Sequence, residues 1–202
     1  MNRLQMKKWI QRKGNTENKV DAKSVSREEM HTGRKYRMDN VLLHTGKDDW
    51  ETPEAFFRQL DQEFHFTLDP CSSYKNAKCK KYYTKEDDGL IKDWGGEVVF
   101  CNPPYSKMGN QDAWVERGWR EAQKEGTVVV MLLPARTDTR RFHQYILGKA
   151  EIRFIRGRLA FELDGEPIRD KKGNPVSAPF PSMVVVWKSN IMPQLVGHFK
   201  EK

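Results

Sequence analysis

The chain has 202 residues, of which 37% are hydrophobic and 32% are charged, and its formal net charge is +8. This length accommodates one domain with a full hydrophobic core, and no apolar stretch approaches the roughly 18–20 residues of a membrane-spanning helix. The basic charge favours a polyanionic partner such as nucleic acid over a membrane. The start of the chain lacks the apolar core of a signal peptide, and the odd number of cysteines fits a reducing cytoplasm, where we expect the protein to act.

The cysteines and the N-terminal charge give further expectations. Cys71, Cys79 and Cys101 have neither disulfide-like nor zinc-like spacing, so we interpret them as small buried residues and expect no metal. Residues 1–45 hold eleven Lys and Arg against five Asp and Glu. We predict a mobile basic arm there, either contacting phosphates or merely solvated, followed by a domain at 46–190 and a tail at 191–202.

The predicted domain begins with a helix. Thr52 suits an N-cap and Pro53 the first helical position, and apolar residues recur at helical spacing as far as Phe64. A short strand at 66–69 follows and ends at Pro70. The polar residues 71–90 have no clear assignment.

Strands then alternate with helices along the chain. Apolar runs predict buried strands at 97–101, 127–133, 151–155 and 182–188, and helical spacing predicts helices at 112–126 and 137–150. Residues 162–180 carry the turn signals of a loop. The alternation predicts an α/β domain with a mostly parallel sheet, in which ligands bind at the carboxyl ends of the strands.

One such strand end carries the sequence Asn102-Pro103-Pro104-Tyr105. The two proline nitrogens have no hydrogen to donate, so this stiff turn offers carbonyl acceptors, to which Asn102 adds its own and Tyr105 adds a flat face. Acceptors beside an aromatic ring suit an amino group on a planar ring or amide, and they stabilise positive charge on that nitrogen as it attacks. The alternative is an ordinary rigid turn.

The ordered motifs resemble a known family. "WETPEAFFRQL", "FTLDPCSS", "FCNPPYS", "VVVMLLPARTDT", "GRLAF" and "APFPSMVVVWK" are similar to the Dam-type DNA N6-adenine methyltransferases of bacteriophages and prophages, over about residues 48–188. The resemblance implies a Rossmann-like class I methyltransferase fold and methyl transfer from S-adenosylmethionine to adenine N6 in double-stranded DNA, with base flipping. It also implies a phage- or prophage-encoded enzyme of the bacterial cytoplasm, connected with restriction–modification, which we expect to be a monomer or weak dimer.

The resemblance also implies roles by position. It implies a donor site formed by Thr52, Pro53, Asp69, Pro70 and Cys71, with Asp88, or else Asp87, on the adenine of the donor. It implies that Asn102 and the Pro103 carbonyl, stiffened by Pro104, hold the target amino group. The flipped base would stack on Tyr105, with Phe161, or else Phe180, on its other face. Contacts to DNA phosphates would come from Arg136, Arg140 and Arg141.

Two features depart from the family pattern. The glycine-rich turn expected after the donor-binding strand is absent from "DPCSSYKN", and only 33 positions separate Asp69 from Asn102. We therefore expect a sheet trimmed between the donor-binding and catalytic strands, with no identifiable ribose-binding residue. Three other functions stay open: N4-cytosine methylation of DNA, glutamine methylation of a protein, and DNA binding by an inactive relative.

Overall fold

The computed structural model describes residues 50–105 and 110–189, together with the backbone of residues 197–199. The predicted arm at 1–45 and most of the predicted tail at 191–202 lie outside these residues. In the described part of the chain, no helix has the length and apolar character needed to cross a membrane.

The described strands form a mainly parallel sheet and one small hairpin. In chain order they are β1 (Leu68–Asp69), β2 (Lys81–Tyr82), β3 (Val98–Cys101), β4 (Val128–Pro134), β5 (Glu151–Ile155), β6 (Glu162–Leu163), β7 (Glu166–Pro167), β8 (Ser182–Lys188) and β9 (Gly197–Phe199). The sheet order is β2-β1-β3-β4-β8-β5-β9, and β6 pairs with β7 alone. Only the two pairings of β8 in the sheet are antiparallel, which confirms the predicted mixed α/β domain with a mostly parallel sheet.

Both faces of the sheet are covered, which explains why its central strands are apolar at nearly every position. Side chains alternate along β4: Val129 and Met131 join one core cluster, whereas Val130 and Leu132 join the other. The helix α1 (Glu54–Phe64) covers the second face. The helix α2 (Gln111–Glu121) and a π-helix (Phe142–Ile146) cover the first.

The start of α1 differs from the sequence prediction. Pro53, rather than Thr52, occupies the N-cap position, and no side chain caps the helix. Thr52 therefore lies one position further out, and its hydroxyl does not bond the first turn. The helix ends at His65, whose left-handed φ of 56° breaks the helical path.

The predicted helix at 137–150 was too long, because the structure contains a π-helix of only five residues there. The Leu147 amide donates to the Phe142 carbonyl at 2.8 Å, which is the wide π-type ring. The Tyr145 carbonyl accepts the Trp187 indole N–H at 2.8 Å, and Gly148 adopts a φ of 70° that ends the element.

Other boundaries also moved. The helix α2 stops at Glu121, five residues before Gly126, and the strand predicted at 66–69 is reduced to β1. The predicted loop at 162–180 contains the β6–β7 hairpin, whose turn residues Asp164 and Gly165 both have positive φ.

The connection from β1 to β3 is compact. Residues 70–97 contain no helix and only the two-residue strand β2, in the region where the sequence predicted a trimmed sheet. Gly89 approaches the Pro70 carbonyl so closely that a Cβ there would lie 2.0 Å from the oxygen. A glycine is therefore required where this connection folds back on the end of β1.

Candidate active site

A half-open cleft lies where β1 and β3 end, at one edge of the sheet. The space between its lining residues is about 400 Å³, part of which is open to solvent. Thr52, Asp69 and Cys71 from the predicted donor site line this cleft together with Asn102 and Pro104 from the predicted target site. The fold therefore brings two sequence-distant sets of predicted residues into one space.

The side chain of Asn102 is held in a single orientation. Its Nδ2 donates to the Trp50 carbonyl at 2.8 Å, and its Oδ1 accepts the Tyr105 hydroxyl at 2.6 Å. Because the Trp50 carbonyl can only accept, the amide nitrogen must face it. The Oδ1 atom retains a second lone pair, which is available to an incoming amino group.

Trp50 is a site residue that the sequence analysis missed. Glu51 and Glu162 exchange two backbone hydrogen bonds of 3.0 Å, which dock the segment around Trp50 against β6. The Glu51 carboxylate also accepts the Gly165 amide at 2.9 Å. The only signal in the sequence was an isolated aromatic residue just before the Thr-Pro start of α1, which periodicity does not reveal.

An aromatic cluster surrounds the Tyr105 ring. Trp50, Phe161 and Phe180 all meet it edge to face, at centroid distances of 6.0, 5.8 and 5.4 Å. Both predicted stacking candidates thus lie beside Tyr105, but Phe161 is only 1% exposed, whereas Phe180 and Trp50 are half-buried and nearly parallel at 17°. Burial raises the pKa of Tyr105, so its hydroxyl stays protonated and acts as a donor.

Asp69 organises the loop that follows β1. It is 3% exposed, and its two carboxylate oxygens accept the Cys71 amide at 3.2 Å and the Lys78 amide at 3.1 Å. Burial raises the pKa of Asp69 to about 6, although these two amides and the Lys78 charge act in the opposite direction. Asp69 therefore holds the loop together and keeps a carboxylate in the cleft at neutral pH.

Thr52 carries an unused polar atom in the cleft. It is 2% exposed, and its Oγ1 has no hydrogen-bond partner. A buried hydroxyl without a partner costs about 1–3 kcal/mol, and such atoms are rare in folded proteins. Thr52 is thus suited to hydrogen-bond a polar ligand, whereas the sequence predicted that it caps the helix.

The cysteine and proline residues near the cleft are buried or half-buried. Cys71 packs beside the buried Cys101, and burial raises the pKa of the Cys101 thiol. Pro103 and Pro70 are buried and Pro53 is half-buried. Among the described residues, no cluster of three or more His, Cys, Asp or Glu could hold a metal ion.

The structure does not bring the predicted adenine-binding acids to the cleft wall. Asp88 is exposed, and its carboxylate accepts the Leu90 amide at 3.2 Å. Asp87 accepts the amide and the hydroxyl of Thr84, both at 2.9 Å, and these bonds lower its pKa. Their role toward a donor stays a prediction.

The three predicted phosphate-binding arginines follow β4 at the same edge of the sheet. Arg136 and Arg140 are exposed. Arg141 is more enclosed, with a side chain 15% exposed, and it pairs with the Asp112 carboxylate at 2.7 Å. Arg136 and Arg140 are therefore better placed for a phosphate than Arg141, whose charge already has a partner.

Comparisons with known proteins identify the family of this chain. Residues 40–200 match the family model described as DNA N-6-adenine-methyltransferase (Dam). The chain is 32% identical over 136 residues to a DNA N-6-adenine-methyltransferase of Escherichia phage T1, covering 66% of this chain and 55% of the relative. It is 35% identical over 111 residues to one of Haemophilus phage HP1, covering 54% of this chain and 62% of the relative.

The chain thus spans somewhat more than half the length of these two curated relatives. The family match covers a larger part of this chain, since residues 40–200 include every described strand, the helices α1 and α2, and the cleft. This chain therefore belongs to the Dam family of DNA N-6-adenine-methyltransferases.

Proposed function

We propose that this protein transfers a methyl group from S-adenosylmethionine to N6 of adenine in double-stranded DNA, with the target base flipped out of the helix. The observation that carries the proposal is the single cleft that joins Thr52 and Asp69 to Asn102. Methyl transfer requires donor and acceptor in line, and two sets of groups on one cleft supply that proximity.

The donor site has groups that fit S-adenosylmethionine. The unpartnered Thr52 hydroxyl and the buried Asp69 carboxylate provide a hydrogen-bonding group and a negative charge within the cleft. The donor supplies an electrophilic methyl group on a sulfonium. Asp69 is oriented by its own loop, so its position is fixed before a ligand arrives.

The described residues of the target site offer hydrogen-bond acceptors. Asn102 Oδ1 and the Pro103 carbonyl accept the two hydrogens of the amino group, which favours a tetrahedral nitrogen whose lone pair points toward the methyl group. The Tyr105 ring provides a face for the flipped base, with Trp50 and Phe180 as neighbours. We propose that Arg136 and Arg140 contact the phosphates of the DNA, and that Arg141 does so by exchanging its Asp112 partner for a phosphate.

The sheet order supports a Rossmann-like class I methyltransferase fold. The donor strand β1 lies next to the target strand β3, and the antiparallel β8 is inserted between β4 and β5. We propose residues 46–190 as the catalytic domain, acting in the cytoplasm of a bacterial host, with the basic segment 1–45 adding nonspecific attraction to DNA.

The test is a methylation assay with analysis of the product. Purified protein, methyl-labelled S-adenosylmethionine and DNA are incubated, and the DNA is digested to nucleosides. We expect N6-methyladenine from the wild type and none from Asn102→Ala, whose circular dichroism should match the wild type and whose melting temperature should fall by only a few degrees, because two hydrogen bonds are lost.

Three results would contradict the proposal. Label found only in N4-methylcytosine would change the base, and label found in protein would change the substrate class. A folded Asn102→Ala variant with normal activity would remove Asn102 from the mechanism.

A further inference from the structure

Lys78 lies in the cleft beside Asp69. The sequence motifs assign no role to it. We infer that the Lys78 ammonium binds the α-carboxylate of the methyl donor, an inference that rests on the proposed use of S-adenosylmethionine. Lys78 would thus be a ligand-binding residue that orients the amino-acid end of the donor.

Lys78 is held in place before any ligand binds. Its backbone amide donates to Asp69 Oδ2 at 3.1 Å, and its side chain is only 13% exposed. Its Nζ donates to Glu54 at 3.0 Å and lies 6.0 Å from the centre of the Phe57 ring. An ammonium has three hydrogens to donate, so two remain for a further acceptor.

The charges that line the cleft match a zwitterion. Among its described lining residues, Asp69 and Glu51 are the acids and Lys78 is the one cation. The amino-acid end of the donor carries an ammonium and a carboxylate, and its sulfonium adds a positive charge. Asp69 suits the ammonium, which leaves Lys78 for the carboxylate.

The surroundings of Lys78 point to the carboxylate end for a second reason. The buried Thr52 hydroxyl, which has no partner, lines the same cleft, and it lies just before the N-terminus of α1. The partial positive charge of a helix N-terminus favours an anion. Hydroxyl, helix terminus and ammonium together form a site with the chemistry of a carboxylate receptor.

The existing pair with Glu54 does not prevent this role. The Glu54 side chain is 48% exposed, and ion pairs with such exposure contribute little to stability. Lys78 can share its hydrogens between Glu54 and a ligand carboxylate, or exchange one partner for the other.

The experiment compares two donors that differ only in the carboxylate. Calorimetry measures binding of S-adenosylmethionine and of decarboxylated S-adenosylmethionine to the wild type, to Lys78→Met and to Lys80→Met. Lys80 is exposed, lies two residues away and does not line the cleft, so its variant is a matched control.

We expect Lys78→Met to weaken binding of the intact donor by about 10- to 100-fold, the usual range for a charge-assisted hydrogen bond. Binding of the decarboxylated donor should change less than about twofold, which also shows that the variant is folded. Lys80→Met should bind both donors as the wild type does.

Two outcomes would overturn the inference separately from the proposed function. If Lys78→Met weakens both donors equally, or weakens neither, the wild type still uses the donor but Lys78 does not bind its carboxylate. If the wild type binds neither donor, the proposed function fails and the inference fails with it.

Discussion

Replacing Tyr105 by phenylalanine separates the two roles that the site gives to this residue. The substitution keeps the ring that faces Trp50, Phe161 and Phe180, and it removes only the hydroxyl. That hydroxyl lies 2.6 Å from Asn102 Oδ1 and 3.2 Å from the Leu132 carbonyl. It has one hydrogen, so the shorter contact to Asn102 is the main bond lost.

The magnitude follows from this single bond. A buried neutral hydrogen bond contributes about 0.5–1.5 kcal/mol net, so we expect the free energy of unfolding to fall by about 1 kcal/mol. Asn102 keeps its contact to the Trp50 carbonyl but loses the second restraint on its side chain. We expect kcat to fall about tenfold, equivalent to about 1.4 kcal/mol, because the acceptor is less well positioned in the transition state.

The assay combines urea unfolding with steady-state kinetics on a short duplex. The KM for DNA should stay within about twofold, because the ring face is retained, whereas Tyr105→Ala should raise it. Tyr82→Phe, on the edge strand β2, removes a hydroxyl that does not line the cleft; it is the matched control and should leave both kinetic constants unchanged. If Tyr105→Phe raises KM by as large a factor as it lowers kcat, or leaves kcat normal, the assigned role of the hydroxyl is refuted.

Three further predictions concern the neighbours of this bond and the sheet edge. Asn102→Asp replaces the amide that donates to the Trp50 carbonyl with an acceptor, so methyl transfer at pH 8 should fall at least about tenfold; wild-type rates would contradict the Asn102 orientation described here. Trp50→Ala should raise the KM for DNA and leave donor affinity unchanged by calorimetry, and Trp50→Phe should restore most of the loss. Arg140→Ala should reduce the salt dependence of DNA affinity by about one phosphate contact, whereas Arg58→Ala on α1 should not change it.

The sequence predicted the parts of the fold that depend on continuous apolar patterning. The strands β3, β4, β5 and β8 lie within one or two residues of their predicted bounds, because both faces of the sheet bury their side chains. The carboxyl-edge position of Asn102 followed from the same reasoning. Strand order and the antiparallel direction of β8 depend on long-range pairing, which apolar runs do not encode.

The errors of prediction have local physical causes. Thr52 has the residue type of an N-cap, but Pro53 takes that position and leaves the hydroxyl in the cleft. The helix predicted at 137–150 is shorter in the structure, where Gly148 adopts a left-handed φ of 70° and the Tyr145 carbonyl accepts the Trp187 indole. Trp50 and Lys78 could not be found from spacing, since each reaches the site through tertiary contacts with distant residues.

The buried carboxylate of Asp69 predicts opposite pH effects on stability and on donor binding. Its folded pKa of about 6 lies above its ordinary value of 3.8, so its ionised form destabilises the fold. This penalty, on the order of 2–3 kcal/mol, is fully present above about pH 6 and decreases as the pH falls toward 4. Besides burial, the groups that act on it are the Lys78 amide and ammonium and the Cys71 amide. Burial and the Asp69 charge in turn raise the pKa values of the neighbouring Cys79 and Cys101 thiols.

Donor binding should follow the opposite course, because only the ionised carboxylate attracts the ammonium of the donor. Between pH 7.5 and pH 5, we expect the affinity for S-adenosylmethionine to fall in calorimetry. Over the same range, the destabilisation caused by ionised Asp69 should decrease, which raises the free energy of unfolding. Both trends are taken relative to Asp69→Asn, which has no charge to titrate, and the acids with lowered pKa values titrate below this range. If stability and donor affinity change in the same direction with pH, or neither changes, Asp69 serves only to shape its loop. If stability rises while donor affinity falls, the ionised Asp69 carboxylate destabilises the fold and binds the donor.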